Sequence, residues 1–551
     1  MKMKKVISLL LSASMAFSLC ACGGGAKSEP AKESLKESEG SPASTAGGQI
    51  VNVGVPAGIP SLDPYFGTDL GALYVNSEIY EYLFVSSYYG GELEPAIGKE
   101  YTEEIVDDKL KVRVTLFDYV YDTAGNQITA EDVVFSYETA KQTGASTFAN
   151  QLESATVIDD YTVELVFTDP VVGNWKGVAE QVWIVDKDAY DADAFSTNPQ
   201  ATGPYCVKEF VPGSYLTLKK NENYWQTDEK YLNPCYQQNI EEIRYKIILE
   251  AAQMTIALQT GDIDVACNVS STELEYFEDE NGEALDGYMV NSATSNLVNA
   301  LIFNCSKESI VGQDQKLRQA ICYAIDEAGL VDGAVNGEGE LCHGWANGME
   351  IDYNDKWNSE DYYSYNIEKA KELLAESSYV SAGSPTLRLM LQSNDEKSKA
   401  AVIIQGYLLA IGINSEILTY DAALFGTYKY EFDQWDMLLD NQSSTIVASN
   451  FMNMTYTSWN GEPCSFNGLH DEEFQTLYSK ASSPVETSEE NVDSYHEYLK
   501  EHAFVYGLWV SKTYQVGVSG IDSIFFSPKL FMVILPGAME YADDYKSASE
   551  K

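Results

Sequence analysis

The chain has 551 residues, of which 84 are Asp or Glu and 35 are Lys or Arg, for a formal net charge of −49. That length exceeds what one hydrophobic core organises and predicts roughly two to four domains. So acidic a surface repels nucleic acid and anionic lipid, which excludes both as partners held by charge, and it favours neutral or cationic ligands.

Lys2, Lys4 and Lys5 open the chain, followed by an apolar run from Val6 to Leu19 and then Ala21 and Cys22. Basic, apolar, then small residues is the order of a secretory signal. The run is shorter than the ~20 residues of a membrane-spanning helix. Leu19-Cys20-Ala21-Cys22 resembles the bacterial lipobox. The resemblance implies that 1–21 is a lipoprotein signal peptide and that Cys22 carries a thioether-linked diacylglycerol. Residues 22–48, rich in Gly, Ser, Ala, Lys and Glu, predict a flexible tether. The expected location is the outer face of the cytoplasmic membrane, with the body held by lipid.

The body begins with an alternating strand at Ile50-Val51-Asn52-Val53. Lys109 to Phe117 alternates through Leu110, Val112, Val114 and Leu116, a half-buried strand. Asp122 to Asn126 reads as a turn. Thr129, with Asp132 three residues on, reads as a capping box for a helix whose inner face is Val133, Val134, Tyr137 and Ala140. Asp160 to Phe167 is a further alternating strand. A helix is predicted over Ala251 to Thr260, closed by Gly261, with a strand starting at Asp262. Behind an Asp314 cap, Leu317, Ala320, Ile321, Ala324 and Ala328 follow helical spacing. So do Ala401, Ile404, Leu408 and Ile411, ending at a left-handed cap on Gly412. Strands and helices interleave, so the fold class is α/β with several sheets.

Catalytic and metal-binding motifs are missing. Gly517-Val518-Ser519-Gly520 fails the GxSxG spacing, and neither HExxH nor a P-loop occurs. The four histidines, at 343, 470, 496 and 502, form no chelating pair. Phe277 occupies the first-ligand place before Glu278-Asp279-Glu280-Asn281-Gly282, which rejects an EF-hand. The cysteines after Cys22 are odd in number, so they do not all pair, and Cys267 and Cys322 read as small core residues. The expectation from these absences is no enzyme, no cofactor and no metal.

Several segments carry a resemblance to a known family. They are Pro60-Ser61-Leu62-Asp63-Pro64, Ile128 to Phe135, Thr202-Gly203-Pro204-Tyr205, Asn221 to Trp225, Ala257 to Asp264, Phe303-Asn304 with Leu317 to Asp326, and Tyr365-Asn366 with Ala370 to Leu374. In family order, they resemble the solute-binding proteins of ABC importers, family 5, the oligopeptide-, dipeptide- and nickel-binding type. Each motif also has a structural reading in turns, caps and packing.

That resemblance implies a periplasmic-binding-protein-like, two-lobed fold (type II, three-domain) with a hinge between the lobes. By analogy, domain I comprises 49–80, 199–297 and 505–545, domain II 81–198, and domain III 298–504, with hinge segments near 296–300 and 502–507. The ligand would lie in the interlobe cleft. Tyr65, Phe66, Gly67, Thr68 and Asp69, just after the Leu62-Asp63-Pro64 signature, are placed at the cleft edge. In domain III, peptide-binding members carry a Trp and, three residues later, an Asp that grips the peptide α-amine. This chain has Gln442 and Thr445 there. Either Asp440, next to Asn441, or Asp69 is then the candidate anchor, because a buried ammonium needs a carboxylate, or the ligand has no free α-amine in that place. Trp459, Trp345 and Tyr456 are candidate cleft aromatics. The implied partners are an oligopeptide or other small solute (oligosaccharide, opine-like amine, chelated nickel), permease and ATPase subunits, and the membrane through the lipid, with the chain a monomer. A sensor without a permease is the other reading of the same cleft.

Overall fold

The computed structural model describes residues 49–547 apart from 67–69, 88–90, 108, 147–148, 150–151, 169–173, 308, 347, 351, 361, 443–457, 460–461, 464–466, 484–485, 487 and 529–531. Cys22 and its leader and tether, together with Gly67, Thr68, Asp69, Thr445 and Tyr456, lie outside the described residues. No helix among the described residues is long and apolar enough to cross a membrane.

Strand β1 (Ile50–Val55) is buried along nearly its whole length, as a strand in the middle of a covered sheet must be. Helix α1 (Leu70–Ile79) follows. Strands β2 (Gly98–Val106) and β3 (Lys109–Leu116), helix α2 (Ala130–Thr143), and strands β4 (Leu152–Asp159) and β5 (Thr162–Phe167) make a side sheet in the order β2-β3-β5-β4. The alternation in β3 buries Leu110, Val112, Val114 and Leu116. The Asp132 carboxylate accepts from the Thr129 backbone N–H at 2.7 Å and hydroxyl at 2.8 Å, closing the start of α2.

The chain then adds β6 (Tyr205–Val211), β7 (Tyr215–Lys220) and β8 (Glu242–Ile247) beside β1. Helix α3 (Ala251–Gln259) leads to β9 (Val265–Ala266), parallel to β1 on its other side. The strand predicted from Asp262 is therefore only two residues long. Gly203 sits where an added Cβ would lie 2.4 Å from the Ile79 carbonyl carbon, so only glycine fits this crossing. The Asn221 to Trp225 motif is a core device. Tyr224 and Trp225 both donate to the buried Glu81 carboxylate, each at 2.6 Å.

The long strand β10 (Tyr288–Phe303) leads into a second layer of elements. These are α4 (Gln315–Ala324), α5 (Glu327–Val335), β11 (Gly339–Leu341), β12 (Leu387–Gln392), α6 (Asp395–Ala410), β13 (Ser415–Tyr420), β14 (Met437–Gln442) and α7 (Glu489–His502). Ala328 does not extend α4 as its spacing predicts. The Asp326 carboxylate accepts from the Gly329 N–H at 3.2 Å and starts α5, so Ala328 faces solvent. The chain returns through β15 (Val505–Val518).

All of these strands except β2 to β5 join one eleven-stranded sheet, in the order β13-β12-β14-β10-β15-β9-β1-β8-β7-β6, with β11 also on β15. Two separate cores lie along it. One gathers Val53, Leu62, Tyr74, Ile97, Trp175, Leu216 and Tyr245, and the other Leu301, Ile321, Trp345, Leu389, Ile404 and Leu439. These are the two lobes, and β10 and β15 run through both. Residues 288–294 of β10 pair with 518–512 of β15, and 298–302 with 510–505, a second register shift skipping Leu508. Between them Ser295, Asn296 and Leu297 face Ser511 alone. Such a bulge bends both strands where the lobes meet.

Candidate functional site

Ligands of open α/β sheets collect at the carboxyl ends of parallel strands, where loops leave the sheet with free backbone groups. In the first lobe β8, β1 and β9 run parallel. Their carboxyl ends release Pro56, Ile248-Leu249 and Cys267 to Ser270, which with Ala251, Met254 and Thr255 of α3 line a cavity of about 70 Å³. Most of this lining is apolar.

Asn268 stands at the rim with a left-handed backbone, φ 50°. Its N–H donates to Gln515 Oε1 at 2.9 Å, and Gln515 Nε2 donates back to Asn268 Oδ1 at 2.9 Å. Its side-chain amide also reaches the Tyr74 hydroxyl. Gln515 is fully buried on β15, so this pair ties the rim to a hinge strand. Sequence reasoning missed both residues. The only signal was the position of Asn268 directly after a predicted strand.

In the second lobe β12 runs parallel to both β13 and β14. Helix α6 starts right after β12, and its Asn394 cap accepts from the Lys397 N–H at 3.0 Å. Lys397 is itself buried and its Nζ lies 3.3 Å from Asp440 Oδ1 on β14. That same oxygen accepts from the Asn441 N–H at 2.9 Å. Beside it Glu396 is pushed above the usual carboxylate range by burial. Lys397 too was missed, although it lies on the inward stripe with Ala401, Ile404 and Leu408.

The residues singled out from sequence fall in different places. Tyr65 is in the core, not open at a cleft edge. Its hydroxyl donates to the Trp183 carbonyl at 2.8 Å, and its ring meets Tyr190 edge-on at 5.4 Å. The neighbouring signature is structural as well. Asp63 accepts from the Tyr65 N–H at 2.8 Å and the Tyr190 hydroxyl at 3.0 Å, while Tyr80 donates to the Leu62 carbonyl at 2.8 Å. Phe66, by contrast, is 54 % exposed. Asp440 is present at the carboxyl end of β14 but already holds a cation. Asn441 and Gln442 pair through their backbones with Asn299 and Val298, next to the bulge. Trp459 lies in a two-residue strand, Ser458–Trp459, paired with Glu462–Pro463. Trp345 is a core residue, edge-on to Tyr495 at 5.3 Å.

The chemistry of the thiols and metals is simple. Cys206, Cys235, Cys267, Cys305, Cys322 and Cys342 are free. Among the described residues no group of His, Cys, Asp or Glu is arranged to hold a metal ion.

Residues 92–463 match the family model described as bacterial extracellular solute-binding proteins, family 5. The oligopeptide-binding protein AppA of Bacillus subtilis is 26 % identical over 452 residues, which are 75 % of this chain and 76 % of AppA. The structure of that AppA in complex with a nonapeptide superposes with a TM-score of 0.70 at 19 % identity, covering 90 % of this chain and 99 % of AppA. AgaA from A. tumefaciens in complex with agropinic acid gives 0.70 at 21 % identity, covering 89 % of this chain and 98 % of AgaA. At these identities the structural likeness establishes a shared fold.

Proposed function

The chain belongs to the bacterial extracellular solute-binding proteins, family 5, and from that premise we propose that it is the lipid-anchored receptor of an ABC importer. In this reading it captures oligopeptides between its lobes and delivers them to the permease. Cys22 carries the lipid, and its two acyl chains meet the two-signal need for stable anchoring. The lobes close about the bulge at 295–297, with domain I at 49–80, 199–297 and 505–545, domain II at 81–198 and domain III at 298–504. Selectivity comes from contacts made only in the closed state.

The observation that carries the reading is the convergence of two strand-end surfaces on one hinge. The rim at Asn268 is tied to β15 through Gln515, and the carboxyl end of β14 meets the middle of β10 beside the bulge. Phe66 and the apolar cavity beside Asn268 would receive side chains, and exposed backbone would pair with an extended peptide.

The Lys397–Asp440 pair favours a second reading, a non-peptide solute such as an oligosaccharide, an opine-like amine or chelated nickel. With Lys397 on it, Asp440 is not a free anchor for an ammonium group. Native mass spectrometry of residues 26–551 from peptide-rich culture separates the two. Added masses that are released as short peptides on denaturation support the first reading. A clean mass that ignores peptides but shifts with a sugar or an amine supports the second.

A further inference from the structure

The turn between α5 and β11 carries two carboxylates across the hinge. Asn336 and Gly337 both have positive φ, 55° and 80°. The Gly337 N–H donates to the Val331 carbonyl at 3.2 Å and the Glu338 N–H to the Val335 carbonyl at 2.9 Å, so the chain reverses directly off the helix end. β11 then pairs with Ser511, Val510 and Trp509 of β15, the stretch opposite the bulge. Its helix α5 is rooted in the second-lobe core by Leu330, Val331, Ala334 and Val335.

The two carboxylates nonetheless reach first-lobe residues. Glu338 accepts from the Tyr514 hydroxyl and lies 3.9 Å from Lys512 Nζ. Glu340 accepts from the Thr294 hydroxyl at 2.7 Å. Tyr514 packs with Met254, Leu258, Phe277 and Val516 in the first lobe. Thr294 is the last paired residue of β10 before the bulge. One second-lobe turn thus grips both crossing strands on their first-lobe sides.

We propose that this turn is a clasp that sets the angle between the lobes in the unliganded protein, and so regulates the cleft without touching its ligand. The inference rests on the closure reading above. Its bonds span a bend that must change when the lobes move, so their strength sets the population of each angle. Apparent affinity scales with the population of the binding-competent state.

Interlobe distance in the full chain tests the clasp without a ligand. Spin labels are placed at Tyr276→Cys and Val402→Cys, both exposed positions in different lobes, with Cys206 and Cys464 changed to Ser. The clasp-intact chain is expected to give one narrow distance, and Tyr514→Phe with Thr294→Val a shifted distance or one about twofold broader. Glu338→Ala should add little to Tyr514→Phe, because both remove the same bond. Matching distributions with and without the clasp overturn the proposal. A tryptic digest of casein then probes closure itself. It is expected to shorten the distance, with peptide affinity changed about thirtyfold in the clasp variant, the effect of two ordinary hydrogen bonds. A clasp-intact distance that ignores the digest overturns the peptide-closure reading, while the unliganded comparison still reads the clasp.

Discussion

Replacing Asp440 by Asn separates a structural role from ligand anchoring. Asp440 and Lys397 have side chains 10 % and 9 % exposed with 3.3 Å between Oδ1 and Nζ. At that distance, with an effective dielectric of about 20, their attraction is roughly 5 kcal/mol. Desolvation of both charges offsets most of this, so the pair as a whole contributes little, whereas stranding one charge costs about 3–5 kcal/mol. Asn keeps an oxygen for the Asn441 N–H and changes only the charge. Asp440→Asn is therefore expected to lose about 3–5 kcal/mol of stability. Adding Lys397→Met should restore most of the loss, since no charge is then stranded. Guanidinium unfolding followed by tryptophan fluorescence reads this directly, because Trp345, Trp357, Trp435 and Trp509 are all buried in the same core. An Asp440→Asn chain as stable as its parent, but with peptide binding lost, would refute the argument and make Asp440 the ligand anchor.

Other expectations follow from buried groups. Glu78 and Glu81 are pushed up to about 8 and about 7 by burial, with the bonds from Tyr224 and Trp225 pulling Glu81 partway back. Both folded values exceed the unfolded value of 4.5, so the stability they contribute is whole below that pH and is lost as pH rises through 7 and 8. The melting temperature should rise on acidification from about pH 8.5 to 6.5, more weakly in Glu78→Gln, and a flat profile would contradict this. His496 works in the opposite sense. It is buried and stacked 3.8 Å from Trp357, and desolvation holds its imidazole below the usual histidine range. Its contribution is present above the unfolded value of 6.5 and is lost as pH falls through the folded one. In thermal melts His496→Gln should lose less stability on acidification below 6.5 than the parent chain does. Gly203→Ala, whose Cβ would meet the Ile79 carbonyl carbon at 2.4 Å, should lower the denaturant midpoint by the equivalent of about 1–3 kcal/mol; an unchanged midpoint would show that the crossing can relax.

Local rules made much of the scaffold legible in the sequence. Alternation in β3, the Thr129–Asp132 box and the Asp314 cap each act over a few residues, and each formed as written. The family motifs identified the scaffold but not the ligand, because they build it: Asp63 ties a turn, and Tyr224 and Trp225 hold Glu81. Tyr65 misled because a turn sequence does not say which side of the turn faces the core. Lys397 shows what periodicity does carry. Its place on the apolar stripe of α6 demanded a buried counter-charge, but only the pairing of distant strands could bring Asp440 to it. Asn268 and Gln515 are 247 positions apart and share the same limit.

The shared sheet has a consequence for the order in which the protein is made. The first lobe leaves β9, only two residues long, as an open edge until β15 arrives beside it, and β10 of the second lobe waits for the same partner. A chain that emerges N-terminus first must hold both half-sheets unfinished through more than 200 residues, from Phe303 to Val505. Contacts so distant in sequence form slowly, since loop closure precedes any gain from pairing. Late completion keeps the polypeptide pliable until Val505 has been made. It also makes a message truncated before Val505 yield two exposed strand edges, a form prone to aggregate or to be degraded.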